Sequence, residues 1–343
     1  MSDTTAGSSL EELPSLRSHA DGISVYRNWA IIAAAAAAWF IAAYITDTWP
    51  EKGPQGGGWD RTGDLVLLLA AVGGVTLLAA IVGLRFEAVF TRVRHAAPWL
   101  IVTAAIVLAW ELITAKLNVL PMPFFPPPQE IIEVVREDWA RLADSTFASF
   151  KLLAFGYLLG AFIGFVYGVA IGWSKVVAYW SHPLLRFLGP LPATAWLPIA
   201  FFAFPSSWSA ATFLVALATG FPVAVLTWSG VAGVGSAYYD IARTLGANKR
   251  FLILKVAIPA ALPHVFVGLF MGLGASFSVI VVAEMLGVKS GLGWYLQWAQ
   301  GWAAYGNMYA ALFVMAISCS WLITVLFRVR DRVLDWQKGL VRW

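Results

Sequence analysis

The residues best suited to meet a partner lie between Asp240 and Pro259, a polar and cationic stretch of the second half of the chain. It has about the length of a helical hairpin and stands between apolar runs on both sides. On its second predicted helix, Phe251, Leu254 and Ile258 recur at spacings of three and four and so share one face, beside a basic rim. We therefore expect a partner outside the bilayer to bind this stretch.

Catalytic and metal chemistry have little support in the sequence. The four histidines lack ligand-like spacing, and the single cysteine, Cys319, leaves no intramolecular disulfide or cysteine metal cluster. Glu111, Glu284 and Cys319 are too sparse to nominate an active site. The segment Gly287-Val-Lys-Ser is not a phosphate loop, because the Gly-Lys pair is missing. We expect no cofactor on this chain, and any ATP hydrolysis must come from another subunit.

The local sequence of the cationic stretch predicts two short helices. Ser236 is the expected N-cap of the first helix, and Gly246 suits the left-handed position that ends it. The second helix is predicted to begin near Asn248 and to stop at Pro259, which lacks an N–H and opens the next membrane span. The stretch therefore predicts a helix-turn-helix hairpin.

The composition places the chain in a membrane. Of 343 residues, 60% are hydrophobic and only 12% are charged, against about 25% charged in a typical soluble domain. Charges cluster between long apolar runs, which favours helices over the short alternating strands of a barrel. The predicted class is an all-α polytopic membrane protein that contacts membrane lipid and no nucleic acid.

About eight transmembrane helices are predicted. We expect a flexible tail at 1–27, two spans with a basic loop at 28–97, the main transmembrane region at 98–335 and a second tail at 336–343. The tail carries no secretory signal peptide, so the first span would be a retained anchor. An amphipathic helix is also predicted over 130–143, after a proline-rich turn. The predicted spans are about 28–46, 65–84, 98–117, 147–172, 184–204, 210–231, 260–282 and 310–327.

The distribution of basic residues predicts the orientation. With a cytoplasmic N-terminus and eight alternating spans, 16 of the 23 lysines and arginines fall in inside segments. This bias agrees with the positive-inside rule. Both termini and the stretch 236–259 are thus predicted to be cytoplasmic.

Five glycines recur every four residues along the fourth span and form a slowly winding groove. Small residues at this spacing let a neighbouring helix approach closely. Two interpretations stay open: tight packing inside one bundle, or a sliding surface for a helix that moves during gating. The five are Gly156, Gly160, Gly164, Gly168 and Gly172.

The fifth span contains Pro190, Pro192, Pro198 and Pro205. A helix that loses so many donors needs protein or a water-filled cavity to satisfy the freed carbonyls, so we expect this span to face protein or a solute pathway. Glu284, near the edge of an apolar span, is costly there unless paired, and so is a second functional candidate. The predicted pathway or gate residues are Pro192, Thr194, Trp196, Pro198 and Glu284.

Several motifs resemble one family. The pattern D-I-A-x3-G-x9-V-A-I-P at Asp240–Pro259 resembles the EAA loop of binding-protein-dependent ABC importer permeases, with Asp240 in place of Glu and Ile241 in place of the first Ala. Pro192-Ala-Thr-Ala-Trp-Leu-Pro198 resembles the family's P-x-x-A-W-L-P signature. Ala283-Glu-Met285 and Gly291-Leu-Gly-Trp294 resemble its A-E-M and G-L-G-Y segments. Within the family, the chain is most similar to permeases of the nitrate, taurine, aliphatic sulfonate and bicarbonate group.

The resemblance implies a six-helix type I permease core in a bacterial cytoplasmic (inner) membrane, to which the two N-terminal spans are additional. It implies a homodimeric pore, two ATP-binding subunits that carry ATP and Mg²⁺, and a periplasmic or lipid-anchored solute-binding protein. The solute would be a small oxyanion such as a sulfonate or nitrate. The residues expected to couple to the ATPase are Asp240, Ala242, Arg243, Leu245, Gly246, Asn248, Lys249, Arg250, Phe251, Leu254 and Pro259.

Two other function classes stay open at this point. A secondary transporter or channel would show solute flux without ATP or a second subunit, but the spans lack the chain of buried carboxylates and histidines that a proton-coupled carrier uses. A membrane-embedded enzyme would need converging acid, base or nucleophile groups in the spans.

Overall fold

The computed structural model describes residues 14–52, 59–83, 85–120 and 122–337. This part of the chain is helical and contains no β-strand. It divides into two compact units, one ending at Arg136 and the other beginning at Glu137. Residues 1–13 of the predicted tail, the glycines 56–58 and the last residues, 338–343, lie outside the described residues.

The first unit consists of three long helices and one short helix. They are α1 (Pro14–Thr48), α2 (Thr62–Gly83), α3 (Glu87–Glu111) and α4 (Pro128–Glu137), and a π-helical segment, Leu112–Lys116, extends α3. Near one end, Trp39, Leu65 and Leu69 pack with Ala104 of α3. Toward the other end, Ile32 and Ala80 pack with Ala97. The helix α3 packs against both α1 and α2, and the division between the two units falls between Arg136 and Glu137, at the end of α4.

Several helices of this unit are longer or shorter than predicted. The helix α1 begins at Pro14, inside the segment predicted to be a flexible tail, since proline fits the first turn of a helix. The helix α3 begins at Glu87, so most of the predicted basic loop is helical and Pro98 lies inside the helix. The predicted amphipathic helix 130–143 is interrupted at Asp138, and its second half forms the start of the next helix.

The second unit contains the remaining helices. They are α5 (Trp139–Trp173), α6 (Lys175–Leu188), α7 (Leu197–Ala203), α8 (Ser207–Ala232), α9 (Ser236–Thr244), α10 (Lys249–Phe251), α11 (Ile258–Leu286), α12 (Leu292–Gly301) and α13 (Tyr305–Val333). A 3₁₀ turn, Ala193–Trp196, precedes α7, and a π-helical segment, Leu252–Ala257, joins α10 to α11. The core lies where α5 and α11 pack on the two sides of α8, around Leu152, Leu214, Val215 and Ile280.

The fifth predicted span is not one helix. The chain leaves α6 at Gly189 and bends by 87° before the segment Ala193–Ala203. The prolines explain this break, because each removes a backbone donor and restricts the residue before it. By length and composition, the described residues contain seven helices able to cross a membrane, or eight if the bent pair counts as one span. This agrees with the predicted all-α polytopic class.

The glycine row of α5 lies directly against α8. A Cβ atom built on Gly160, Gly164 or Gly168 would overlap the carbonyl oxygen of a residue on α8, namely Ala216, Gly220 or Ala224. At the two ends of the row, a Cβ on Gly156 or Gly172 would lie 2.6 Å from a valine side chain. The partner residues on α8 are themselves small and four apart. This spacing is a second signal in the sequence, and it complements the glycine row of α5.

Candidate functional site

The proline-broken segment between α6 and α7 lines a cavity of about 580 Å³. The opposite walls come from α8 and α11, through residues such as Phe213, Phe221 and Ser278. Three of the predicted pathway residues line this cavity: Pro192, Thr194 and Trp196. Pro198 and Glu284 are not among its lining residues.

The cavity lining is neutral and largely apolar. Among the described residues, no Asp, Glu, Lys, Arg or His contributes to it, and the polar side chains that do are the hydroxyls of Thr194 and Ser278 and the indole of Trp196. Aromatic and aliphatic side chains form the rest of the surface. Such a lining can offer hydrogen bonds to a solute, but it does not attract one by a formal charge.

Glu284 occupies a different place, in the interior between α11, α5 and α12. Its side chain is 1% exposed. The Ser149 hydroxyl lies 2.8 Å from both carboxylate oxygens, and the backbone N–H of Gly293 donates to Oε2 at 2.8 Å. The structure therefore places Glu284 in a polar contact that fixes the start of α12 to α5, away from the cavity.

Gly291 makes this contact possible. Its φ of +128° is one that residues with a side chain rarely adopt, and a Cβ built on it would overlap the Glu284 carboxylate. The Gly-Leu-Gly-Trp segment thus allows the backbone to close around a buried acid.

A second polar cluster holds α12 from its other side. The Tyr295 hydroxyl donates to Asp138 at 2.8 Å, and the Asn307 amide donates to the Tyr295 oxygen at 2.6 Å. Arg141 lies 3.6 Å from Asp138 and 4.5 Å from the ring centroid of Trp298. Burial raises the pKa of Tyr295, so its phenol stays protonated and continues to donate. Sequence analysis missed this cluster, because its members come from three separate segments.

The first half of the cationic hairpin ends as predicted at Gly246, whose φ is +83°. The Gly246 N–H donates to the carbonyl of Arg243, and the Ala247 N–H donates to that of Ala242. These two bonds form a Schellman motif, which satisfies the last carbonyls of the helix α9. Ser236 is not the N-cap; it is the first helical residue, and Gly235 takes the capping position without a side-chain bond.

The second half of the hairpin differs from the prediction. Asn248 caps α10 by accepting a hydrogen bond from the Phe251 N–H at 2.9 Å, but the helix does not stop at Pro259. Instead, helical structure runs from Lys249 to Leu286 without a break, through the π-helical segment 252–257. Pro259 lacks the N–H that an α-helix would direct to Lys255, and the π-helical turns lie where that bond is lost.

The outer surface of this hairpin is exposed and partly apolar. Leu245 is 83% exposed and Leu254 60%, and Phe251 is half exposed. Arg243 forms an ion pair with Asp240 at 3.0 Å within α9, while Lys249 and Arg250 are exposed. Ala242 and Pro259 are half-buried, and Gly246 and Asn248 are exposed. Most of the predicted coupling residues are therefore exposed in the structure.

The comparison with known proteins identifies the family of this chain. A family described as the binding-protein-dependent transport system inner membrane component matches residues 156–336, more than half of the chain. The chain belongs to this family. It is a multi-pass membrane permease of an ABC transport system, a transport subunit rather than an enzyme.

Individual relatives include permeases for small anions. The permease is 29% identical over 248 residues to the nitrate import permease protein NrtB of Leptolyngbya laminosa, an alignment covering 68% of this chain and 84% of the relative. It is 28% identical over 244 residues to the putative aliphatic sulfonates transport permease protein SsuC of Bacillus subtilis, covering 70% and 87%. It is 32% identical over 200 residues to the bicarbonate transport system permease protein CmpB of Synechococcus elongatus, covering 58% and 68%. The predicted family group is confirmed.

The family match begins inside α5, so the first unit of the permease lies outside it. This unit contains a buried polar cluster that sequence analysis missed. The ammonium of Lys116 donates to the carbonyls of Thr46 and Trp49 at 2.7 and 2.8 Å, and lies 3.3 Å from Glu51 and 3.6 Å from Glu111.

The same cluster includes α4. The Gln129 amide nitrogen lies 3.2 Å from both Glu51 and Glu111, and the Thr46 hydroxyl donates to Glu111. At the other end of α4, Arg136 pairs with Asp64 at 2.8 Å. The connection between α1 and α2 therefore contacts the end of α3 and the start of α4 through Glu51.

Proposed function

We propose that this permease forms the solute pathway of an ATP-driven importer and receives its driving force from cytoplasmic ATP-binding subunits. Two copies assemble around the pathway, and each docks one ATP-binding subunit on the hairpin 236–259. ATP and Mg²⁺ bind the partner subunits, and a solute-binding protein delivers the solute on the opposite side. In this orientation both termini are cytoplasmic, as the distribution of basic residues indicates.

The observation that carries the proposal is the exposed surface of the hairpin. Leu245, Phe251 and Leu254 leave large apolar side chains in the open, next to the cations Lys249 and Arg250. An apolar centre with a charged rim is the usual composition of a protein interface. Gly246 gives the turn its shape, and the Schellman motif holds both halves in a fixed relation.

The cavity beside Pro192, Thr194 and Trp196 is the proposed site through which the solute passes. Closure of the ATP-binding subunits draws the two hairpins together, and the cavity opens to the other side of the membrane. Glu284 takes part only indirectly, by holding α12 on α5.

The proposed solute is a small oxyanion, of the class named for the relatives of this permease. The neutral lining would bind it through the Thr194 and Ser278 hydroxyls and the Trp196 indole. Because no lining residue carries a charge, discrimination between oxyanions would rest mainly on the solute-binding protein.

The proposal is tested by replacing the glycine at the turn. Gly246→Val forces a β-branched residue to adopt φ +83° and should abolish co-purification of the ATP-binding subunit while the permease remains in the membrane. Gly301→Val is the matched control, because Gly301 has open space around it and no positive φ. Undiminished capture of the ATP-binding subunit and undiminished transport in Gly246→Val would contradict the docking role.

Solute class and energy source are tested separately. Calorimetric titration of the purified solute-binding protein with nitrate, bicarbonate and an alkanesulfonate should reveal tight binding of one of them. Proteoliposomes with the whole assembly should then accumulate that solute only with ATP. Flux through the permease alone, without ATP, would instead indicate a channel or secondary transporter.

A further inference from the structure

The groove between α2 and α3 is an apolar surface of the first unit. It has a volume of about 430 Å³ and is lined by residues that include Leu68, Val75 and Ala79 of α2 and Val93, Ala96 and Leu100 of α3. Leu68 and Val75 are 51% and 65% exposed. The Thr76 hydroxyl in this groove bonds to the Val72 carbonyl at 2.8 Å, which leaves the lining apolar. Exposed apolar surface of this kind on a membrane-spanning helix is suited to contact with lipid hydrocarbon.

The length of the groove matches a lipid chain. From Leu68 to Ala79 the helix rises by about 16 Å. The hydrocarbon core of a bilayer is about 30 Å thick, so this length is about that of one leaflet. Small side chains at Ala79 and Ala96 leave room for one acyl chain between the two helices.

The groove continues into a polar cleft near the turn between α2 and α3. Ala96 lines both, and the cleft is also lined by Glu87, Thr91, Arg92 and His95. Arg92 and His95 are exposed and make no ion pair with the described residues. Arg85, at the turn itself, is exposed too, so the two arginines here outnumber the single carboxylate of Glu87.

We propose that this groove and cleft form a binding site for an anionic phospholipid. One acyl chain lies between α2 and α3, and the phosphate lies at Arg92 and His95. A headgroup hydroxyl can donate to Glu87, which favours an anionic headgroup that carries hydroxyls. The site gives α2, the second of the two predicted additional spans, a role that is independent of the solute pathway.

The site can be tested by native mass spectrometry of the intact transporter, reconstituted with phosphatidylglycerol, phosphatidylethanolamine and phosphatidylcholine in equal amounts. The wild-type protein should retain phosphatidylglycerol preferentially. The double variant Arg92→Gln/His95→Gln should bind it at least about fivefold more weakly, the scale expected for one juxtamembrane cation. Arg94→Gln is the control, since it removes a charge from the same segment outside the cleft and should leave retention unchanged.

A second variant tests whether lipid binding depends on the groove and not only on the surface charge. Ala96→Phe fills the groove at an exposed position and should remove the retained lipid whatever its headgroup, with helical content unchanged by circular dichroism. The proposal would be overturned if the Arg92→Gln/His95→Gln and Arg94→Gln variants lost equal amounts of phosphatidylglycerol. It would also be overturned if the wild-type protein preferred phosphatidylethanolamine, or if Ala96→Phe retained all of its lipid. Dissociation of a permease dimer by Ala96→Phe, with retained lipid unchanged, would assign the groove to a second copy of the chain.

Discussion

The hydroxyl oxygen of Ser149 lies 2.8 Å from each carboxylate oxygen of Glu284, and the same hydroxyl accepts a hydrogen bond from the backbone N–H of Leu292. One serine on α5 therefore links the end of α11 to the start of α12. Because Glu284 is buried, each donor directed at it would be left without a partner if the carboxylate were removed.

Glu284→Ala should destabilise the permease by about 1–3 kcal/mol for each donor left unsatisfied. Glu284→Gln keeps one acceptor oxygen and should cost less. The measurement is thermal unfolding in detergent, with Asp144→Ala, an exposed acid on α5, as the control. Since Glu284 does not line the cavity, the KM for the solute should not change in Glu284→Gln. A large change in KM in a stable Glu284→Gln protein would indicate that Glu284 belongs to the solute pathway.

Gly164→Ala should disrupt the contact between α5 and α8. The added methyl would overlap the carbonyl oxygen of Gly220, and backbone cannot give way as a side chain can, so we expect a loss of about 1–3 kcal/mol. Gly274→Ala is the matched control, because a Cβ at Gly274 meets nothing within 4 Å. Thermal unfolding of both variants checks the prediction, which fails if the two are equally stable.

Tyr295→Phe removes the hydroxyl that joins Asp138 to Asn307, and should cost about 1–2 kcal/mol in unfolding free energy at neutral pH. The pKa of Tyr295 is raised in the folded state, so the contribution of its protonated form is complete below the unfolded value of about 10 and declines as the pH rises above it. The stability difference between wild type and variant should therefore shrink above pH about 10. Chemical denaturation across a pH series measures it, and a difference that grows at high pH would be inconsistent with the raised pKa.

Lys116→Met should destabilise the first unit by about 3–5 kcal/mol, since it leaves the buried Glu111 and the half-buried Glu51 without their cation. Lys116→Met combined with Glu111→Gln should recover part of the loss. Limited proteolysis of the α1–α2 connection reports on this unit directly. Equal cleavage in wild type and Lys116→Met would show that the cluster contributes little.

Features encoded locally could be predicted from the sequence, and those that depend on distant residues could not. The left-handed turn at Gly246 needs only one glycine after a short helix, and the structure agrees. The Lys116 cluster joins residues that lie 65 to 70 positions apart in the sequence, and no local pattern indicates it.

Prolines were the main source of error in the predicted helices. Pro259 suggested the end of a helix, but π-helical turns before it keep the helix continuous. The prolines around Pro192 do interrupt the helix, and the predicted span 184–204 is divided there between α6 and the segment Ala193–Ala203. Each proline removes one backbone N–H donor. Whether the helix then bends, forms a π-helical turn or ends depends on the conformation of the neighbouring backbone.

The unbroken helical run from Lys249 to Leu286 joins the second half of the hairpin 236–259 to the membrane core in a single helix. Its 38 residues span roughly 57 Å, and Glu284 lies at the far end from Lys249. A displacement of the hairpin would therefore move this helix as a whole and shift its far end, next to α12. No loop lies between the two ends of the helix.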